Sequence, residues 1–350
     1  MRRREFLAAT GVTGLAASAG CAGLLETQRA NVEPPLPANR PNAVYLPSHT
    51  EGMKMVGTQS KGRYRCALSY TFPHRFWLVT REETQRVDVA GDLHLMTSVW
   101  DAEAGALVPD ASPQIELVGP DDKPRSFVPW QMLSQPMGVH HGDNVGLGPE
   151  GTYDVTVKAA PSSTRRTTAS AASGGPIEFS FSMDYRRSAL EELSFTDVPS
   201  NREGTKGAVD PMGMKPVQLS QVPAAASFPM SVRGTGTTGD ADVVVASADE
   251  RGELATGSDE SYLVASLRTP YNRFALPAAS LSATVTRNGE TRHSGPLVAT
   301  LDSELGYHYA AAVPSLGDAD EVTVTVDAPP QLTRHEGYET AFFGMDSVTV

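Results

Sequence analysis

The strongest constraint on this chain is that it reads twice. Residues 138–166, GVHHGDNVGLGPEGTYDVTVKAAPSSTRR, are echoed by residues 306–335, GYHYAAAVPSLGDADEVTVTVDAPPQLTRH. Both pass in order through Gly-x-His, a turn, an x-Val-Thr-Val run, Ala-Pro and Thr-Arg-x. Upstream, Leu93 to Trp100 lies over Ser261 to Arg268, and Pro113 to Leu117 over Ser280 to Thr284. Such self-similarity means one supersecondary unit made twice, with about 110–140 residues in each copy. The period within the copies is that of strands. Runs of β-branched and aromatic residues fall at 63–70, 75–80, 92–100, 114–118, 152–158 and 177–183. They resume at 242–247, 262–268, 280–286, 296–301, 307–313 and 321–327. Turn residues such as Asp121-Asp122, Gly142-Asp143 and Gly148-Pro149-Glu150-Gly151 separate them. With 31 Gly and 26 Pro in 350 residues, this is the rhythm of an all-β sandwich and argues against a helical bundle.

The first residues read as an address. Arg2-Arg3-Arg4-Glu5-Phe6-Leu7 precedes a mild apolar stretch, Ala8 to Ala19, and then Ser18-Ala19-Gly20-Cys21. A charged start, a short apolar core and small residues before a cut site describe a cleavable secretory signal. The arginine pair followed by Phe-Leu resembles a twin-arginine export signal. Ser-Ala-Gly-Cys resembles a lipobox, which makes Cys21 the lipidated first residue of the mature chain. The alternative is a membrane-spanning anchor, but the apolar run falls short of the ~20 residues a span needs. The expected organisation is a signal over 1–20, a proline-rich tether over 21–42, a metal-binding sandwich over 43–185, a linker over 186–240 and a second, divergent sandwich over 241–350. Cys66, the other cysteine, lies in an alternating run and is expected to be a buried free thiol.

The net charge is −12, carried against 23 Arg and only 6 Lys. No basic surplus is available to neutralise phosphates, so nucleic acid is excluded as a partner. Acidic, lysine-poor chains resemble proteins of salt-loving organisms. The chain holds no His-Glu-x-x-His helix and no Gly-x-Ser-x-Gly elbow, and its carboxylates are scattered. The reading is therefore a binding protein and not an enzyme.

Polar chemistry concentrates in histidine and methionine. The first half carries His49, His74, His94, His140 and His141 together with Met53, Met55, Met96, Met132 and Met137. Imidazole suits zinc, copper and iron, and thioether sulfur favours soft Cu(I), so the grouping points to a copper or iron ion. His94 and Met96 lie two apart on a strand and share one face, while Leu93 and Leu95 take the other. His140-His141-Gly142-Asp143 is expected at a strand-to-turn junction, where a loop presents both rings. His74, in Pro-His-Arg-Phe-Trp, reads equally as a ligand or as a ring packed on Trp77. His49 and Met53 need not share a face, and His293 is expected to be solvated.

Residues 92–183 resemble the periplasmic nineteen-kilodalton iron-transport family. The resemblance is carried by Asp92-Leu93-His94-Leu95, Pro136-Met137-Gly138, His140-His141-Gly142-Asp143-Asn144 and Gly151-Thr152-Tyr153-Asp154-Val155. It implies immunoglobulin-like sandwiches, lipid anchoring and association with a ferrous-iron permease. The stretches around Met53 and His74 look like an elaboration of salt-loving archaeal relatives. In the family, copper is held by a strand His, a Met from a neighbouring strand and a loop His. These correspond to His94, Met132 (or Met137) and His140. The family's Glu two positions after the strand His is Met96 here, which moves the donor set toward Cu(I). A further family His follows a later Arg and comes from the neighbouring subunit. Here that element reads Arg165-Arg166 in the first repeat and Arg334-His335 in the second, where Tyr262 stands in place of His94. The complementary losses are those expected of a fused pseudo-dimer in which His335 reaches the metal held by the first sandwich; the alternative is that the second repeat has drifted and His335 is a solvated loop residue.

The expected protein is a lipid-anchored, extracytoplasmic copper- or iron-binding protein that assists iron uptake. The alternatives are a surface adhesion module with incidental histidines, and a copper enzyme that oxidises Fe(II).

Overall fold

The computed structural model describes residues 33–160, 162, 164–167, 175–213, 215–249, 257 and 259–350. The expected signal, Cys21 and the first part of the tether lie outside them. Strands dominate, and they form where the alternation predicts. In Gly151–Ala159, Tyr153, Val155, Val157 and Ala159 point inward while Thr152 and Asp154 are exposed. Ile177–Tyr185 repeats the pattern with Phe179, Phe181, Met183 and Tyr185 inward. Both belong to a four-stranded sheet of order Ile177–Tyr185, Gly151–Ala159, Gln114–Val118, Pro124–Phe127.

That sheet faces a larger one, which runs Lys54–Lys61, Tyr64–Thr71, Leu93–Asp101, Gly138–Val145, Trp130–Ser134, Thr333–Arg334, Phe76–Thr80, Glu83–Val87. Leu93–Asp101 is buried at every position. Unlike the outer strands, it is covered on both faces, the signature of a sheet whose far side is not open to water. Cys66 sits in this core with its thiol 3.2 Å from the Thr97 hydroxyl, and burial pushes its pKa up to about 12. It is an inert structural thiol.

The second half builds the same pair of layers. Ser231–Thr238, Ala241–Ala248, Glu260–Arg268, Gly306–Pro314 and the end of Glu290–Asp302 match the larger sheet. The start of Glu290–Asp302, with Ser280–Arg287, Asp320–Ala328 and Val348–Thr349, matches the smaller one. One hydrophobic core runs through both halves, and Glu33–Val350 forms a single unit.

The halves exchange strands. Thr333–Arg334, from the C-terminal half, pairs in parallel with Trp130–Ser134 of the first sheet. Arg165–Arg166, from the N-terminal half, pairs in parallel with Glu290–Asp302 of the second. The registers are equivalent: Met132 faces Thr333 and Leu133 faces Arg334, as Thr300 faces Arg165 and Leu301 faces Arg166. The next backbone N–H then donates to the same carbonyl in each copy, His335 to Leu133 at 3.0 Å and Thr167 to Leu301 at 3.2 Å. Thr167 is therefore the counterpart of His335. The alignment by sequence, which placed Arg166 there, is one residue out of register, because two successive arginines make the Thr-Arg-x motif ambiguous.

Two expectations about the elements change. Ser231–Thr238, read as the end of the linker, is the edge strand of the second sheet. Its sequence, SVRGTGTT, has little apolar side chain to announce a strand, because most of it faces water. His140 and His141 lie inside the strand Gly138–Val145 and not at its junction with a turn. The polar Gly-Asp-Asn that reads as a turn continues the strand, paired throughout with Leu93–Asp101 and, at Gly142, with Trp130 as well.

Candidate metal centre

Period-2 alternation sorts the candidate ligands. On Leu93–Asp101, Leu93 and Leu95 enter the sandwich core while His94 and Met96 face the covered outer side. On Gly138–Val145, His140, Gly142 and Asn144 share that outer side, and His141 takes the other. Register then aligns them: Asn144 stands opposite His94, and Met132 opposite His140. The exchanged strand delivers His335 two residues beyond Thr333, the partner of Met132. His74 arrives from the turn before Phe76–Thr80, which pairs with the exchanged strand in its turn.

Four imidazoles and a thioether converge. Ring centroids are 4.1 Å apart for His74 and His94, 4.7 Å for His74 and His335, 5.2 Å for His140 and His335, and 5.5 Å for His94 and His335. Nε2 of His335 lies 3.2 Å from Sδ of Met132. One donor atom from each of His74, His94 and His335 falls within 4.8 Å of the others. Nitrogen and sulfur ligands at about 2.0–2.3 Å from one ion stand about 3–4 Å from each other, so small side-chain adjustments close this set around a metal.

The other ring nitrogens fix which atom faces the centre. Nδ1 of His94 bonds Asn144 Oδ1 at 2.9 Å, and Nδ1 of His140 bonds the Gly138 carbonyl at 3.0 Å. Nδ1 of His74 lies 3.1 Å from the Phe72 carbonyl and 3.3 Å from Glu51 Oε2. Each partner accepts a hydrogen bond from Nδ1–H and leaves Nε2 to point inward. That is how proteins orient imidazole ligands. Nε2 of His74, His94 and His140 are all buried with no hydrogen-bond partner among the described residues. Three buried imidazole nitrogens without a partner are costly unless something binds them.

Electrostatics fit a cation site. Burial, reinforced by the neighbouring His74, pulls the pKa values of His94 and His335 well below the usual histidine value. Burial takes His140 down to about 4. These rings are neutral near pH 7, as ligands must be. His74 differs. Burial lowers its pKa, but the Glu51 carboxylate outweighs burial and holds it above the usual value. Burial would raise Glu51, yet His74 and His49 bring it down to about 2. A bound ion would take the place of the Nε2 proton of His74, while Nδ1 stays turned toward that carboxylate.

Not every predicted residue joins. Met96 shares the face of His94 but packs with Met137 in an adjoining apolar cluster with Met53 and Met212. His141 lines a separate cavity with Gln131, Arg165 and Tyr307 on the opposite face of the strand. Adjacent strand residues cannot share a face, so His140 and His141 are not ligands of one ion. His49 has both nitrogens engaged, 2.9 Å from Ser48 Oγ and 3.0 Å from Glu51 Oε1, and stacks on Phe195. Its role is to steady Glu51. Sequence reasoning missed Gly142, Asn144, Glu51 and Met212. A Cβ at Gly142 would stand 2.6 Å from His94 Nε2 and 3.3 Å from Met132 Sδ. This glycine keeps open the space where the donors meet.

The equivalent place in the second repeat is closed. His308 corresponds to His140 and keeps its Nδ1 contact, to the Gly306 carbonyl at 3.0 Å. Its Nε2 is taken by the Tyr262 hydroxyl at 2.8 Å, where the first repeat has His94. Thr300 stands in for Met132. Thr167, in the place of His335, donates to Asp302 at 2.6 Å. Hydroxyl bonds have replaced the open donors.

Residues 226–350 match the model of a family described as a domain of unknown function, DUF7350. The search of the curated proteins found no match. Among solved structures the chain is similar to FetP of uropathogenic Escherichia coli strain F11, in its as-isolated form, with 20% identity and a TM-score of 0.32. That similarity covers 38% of this chain and 95% of FetP. A copper-bound variant of the same FetP gives 18% identity and a TM-score of 0.30, over 38% of this chain and 97% of the other.

Proposed function

We propose that this chain is an extracytoplasmic transition-metal binding protein that holds one copper ion between its two sandwiches and assists iron uptake. The observation that carries the reading is a cluster of buried imidazoles, three with an unpartnered Nε2, beside the His335 Nε2 that meets the Met132 sulfur. Imidazole alone suits several metals, and a thioether among the imidazoles favours copper over iron, zinc or magnesium. The His74, His94, His140 and His335 rings would be the nitrogen donors, with Met132 the sulfur donor. The ion would act as bound cargo or carrier and not as a catalyst. Cys21, lipidated after signal cleavage, would tether the protein to the outer face of the cell membrane beside an iron permease. Replacement Cys21→Ser is expected to release the protein from the membrane fraction into the medium. Retention of the variant would overturn the anchor.

The metal reading is tested by titrating the metal-free chain with Cu(II) by calorimetry, alongside Gly142→Ala. Wild type is expected to bind one equivalent. The variant, whose methyl group occupies the meeting point of the donors while every ligand remains, is expected to lose at least about a hundredfold in affinity. Failure of the wild-type chain to take up either copper or iron would overturn the reading and favour a surface adhesion module.

A further inference from the structure

Beside the imidazoles lies a cavity of about 90 Å³ lined by Met53, Met96, Met137 and Met212. His74 and His335 line it too, so it opens onto the metal centre. The thioethers are graded in depth. Met53 and Met212 are half-buried at the mouth, and Met96 and Met137 are buried within. Methionine often fills irregular gaps, and packing alone accounts for many such clusters.

The molecule supplies its own control. At the same places in the second repeat, Met96 and Met137 are matched by Val264 and Leu305, which pack into an aliphatic cluster. Aliphatic side chains therefore suffice for that packing. The buried thioethers occur in the half that keeps the imidazoles and are absent from the half where Tyr262 and Thr167 have closed the site. Only the outer Met53 keeps a methionine counterpart, Met230, which sits at the edge of the aliphatic cluster. Unbranched thioethers add one property that Val and Leu lack, affinity for soft monovalent ions.

We propose that Met53, Met96, Met137 and Met212 form a second, soft-metal site that takes Cu(I) at the mouth of the imidazole cluster and passes it inward. The destination rests on the metal reading above, whereas binding at the thioethers does not require it. No electron is transferred in this step: Cu(I) exchanges thioether ligands for imidazoles and the Met132 sulfur.

The test uses Ag(I), a soft and redox-inert monovalent probe, with the metal-free full chain. Native mass spectrometry is expected to show two equivalents of Ag(I) bound by wild type. The fourfold variant Met53→Leu, Met96→Leu, Met137→Leu, Met212→Leu conserves volume. It is expected to keep the Cu(II) equivalent at the imidazoles and lose the second Ag(I). The same number of bound Ag(I) ions in wild type and in the fourfold variant would overturn the proposal. Loss of Cu(II) binding by wild type with the second Ag(I) intact would instead count against the imidazole site alone. A measurement independent of the variant's folding uses wild type labelled at the methionine methyl carbons. The second Ag(I) should shift the methyl signals of Met53, Met96, Met137 and Met212 and leave those of Met183 and Met345 in place. Unmoved signals from the four would equally overturn the proposal.

Discussion

Replacing His335 by alanine is expected to lower Cu(II) affinity by more than about a hundredfold, although this residue lies 203 positions from Met132 in the chain. The contact is direct, with Nε2 3.2 Å from the Met132 sulfur and rings of three other histidines within 5.5 Å. Perturbing the outer partners of metal-bound histidines already costs ten- to a hundredfold in typical sites, and removing a ligand costs more. A structural explanation can be separated from ligation by rescue. Alanine leaves a ring-sized space beside Met132, so added free imidazole should restore binding by supplying the missing nitrogen. Imidazole-independent weakness, or unchanged affinity measured by competition titration, would remove His335 from the donor set. Thr167→Ala, at the corresponding position of the closed repeat, should leave copper affinity unaltered.

The second large effect concerns the reciprocal exchange, in which Arg165–Arg166 crosses to the second sheet. Asp101 is fully buried, 2.7 Å from Nε of Arg63 and 3.1 Å from a terminal nitrogen of Arg166. It also accepts the backbone N–H groups of Glu103 and Ala104, at 3.0 and 3.1 Å. Arg166, itself buried, belongs to the segment that crosses to the second sheet and faces Leu301. Asp101→Ala would leave the Arg166 guanidinium buried without its carboxylate and remove the acceptor that caps the turn. Stripping one partner from a buried pair costs about 3–5 kcal/mol. The metal-free variant should therefore show a denaturation midpoint lowered to match. A shift below about 1 kcal/mol would mean that water or another acceptor reaches Arg166.

Much of the architecture was legible because strands betray themselves by a period of two. The twelve sequence runs all correspond to strands, and the alternation in Gly151–Ala159 and Ile177–Tyr185 follows burial closely. Elements that escaped notice lack that signal for identifiable reasons. Ser231–Thr238 is Gly- and Thr-rich and mostly solvent-facing. Gly138–Val145 carries Gly-Asp-Asn in its middle because Gly142 must stay small beside His94 and Asn144 must bond its Nδ1. There the demands of the site overrode the pattern of an ordinary strand.

The sequence by itself determined the all-β class, the duplication and the local rule that His94 and Met96 share a face. Each follows from chain-local sterics, which act over a few residues and repeat wherever the same pattern recurs. Only the tertiary structure decided which histidines meet. It admitted His74 and His335, turned His141 to the opposite face, spent His49 on Glu51 and placed Met96 and Met137 in an adjoining apolar cluster. It also showed that Thr167, and not Arg166, answers to His335. Those outcomes depend on the register of strands exchanged between halves. A slip of one residue turns a side chain to the other face of the sheet, and only the packing of both sandwiches together fixes that register.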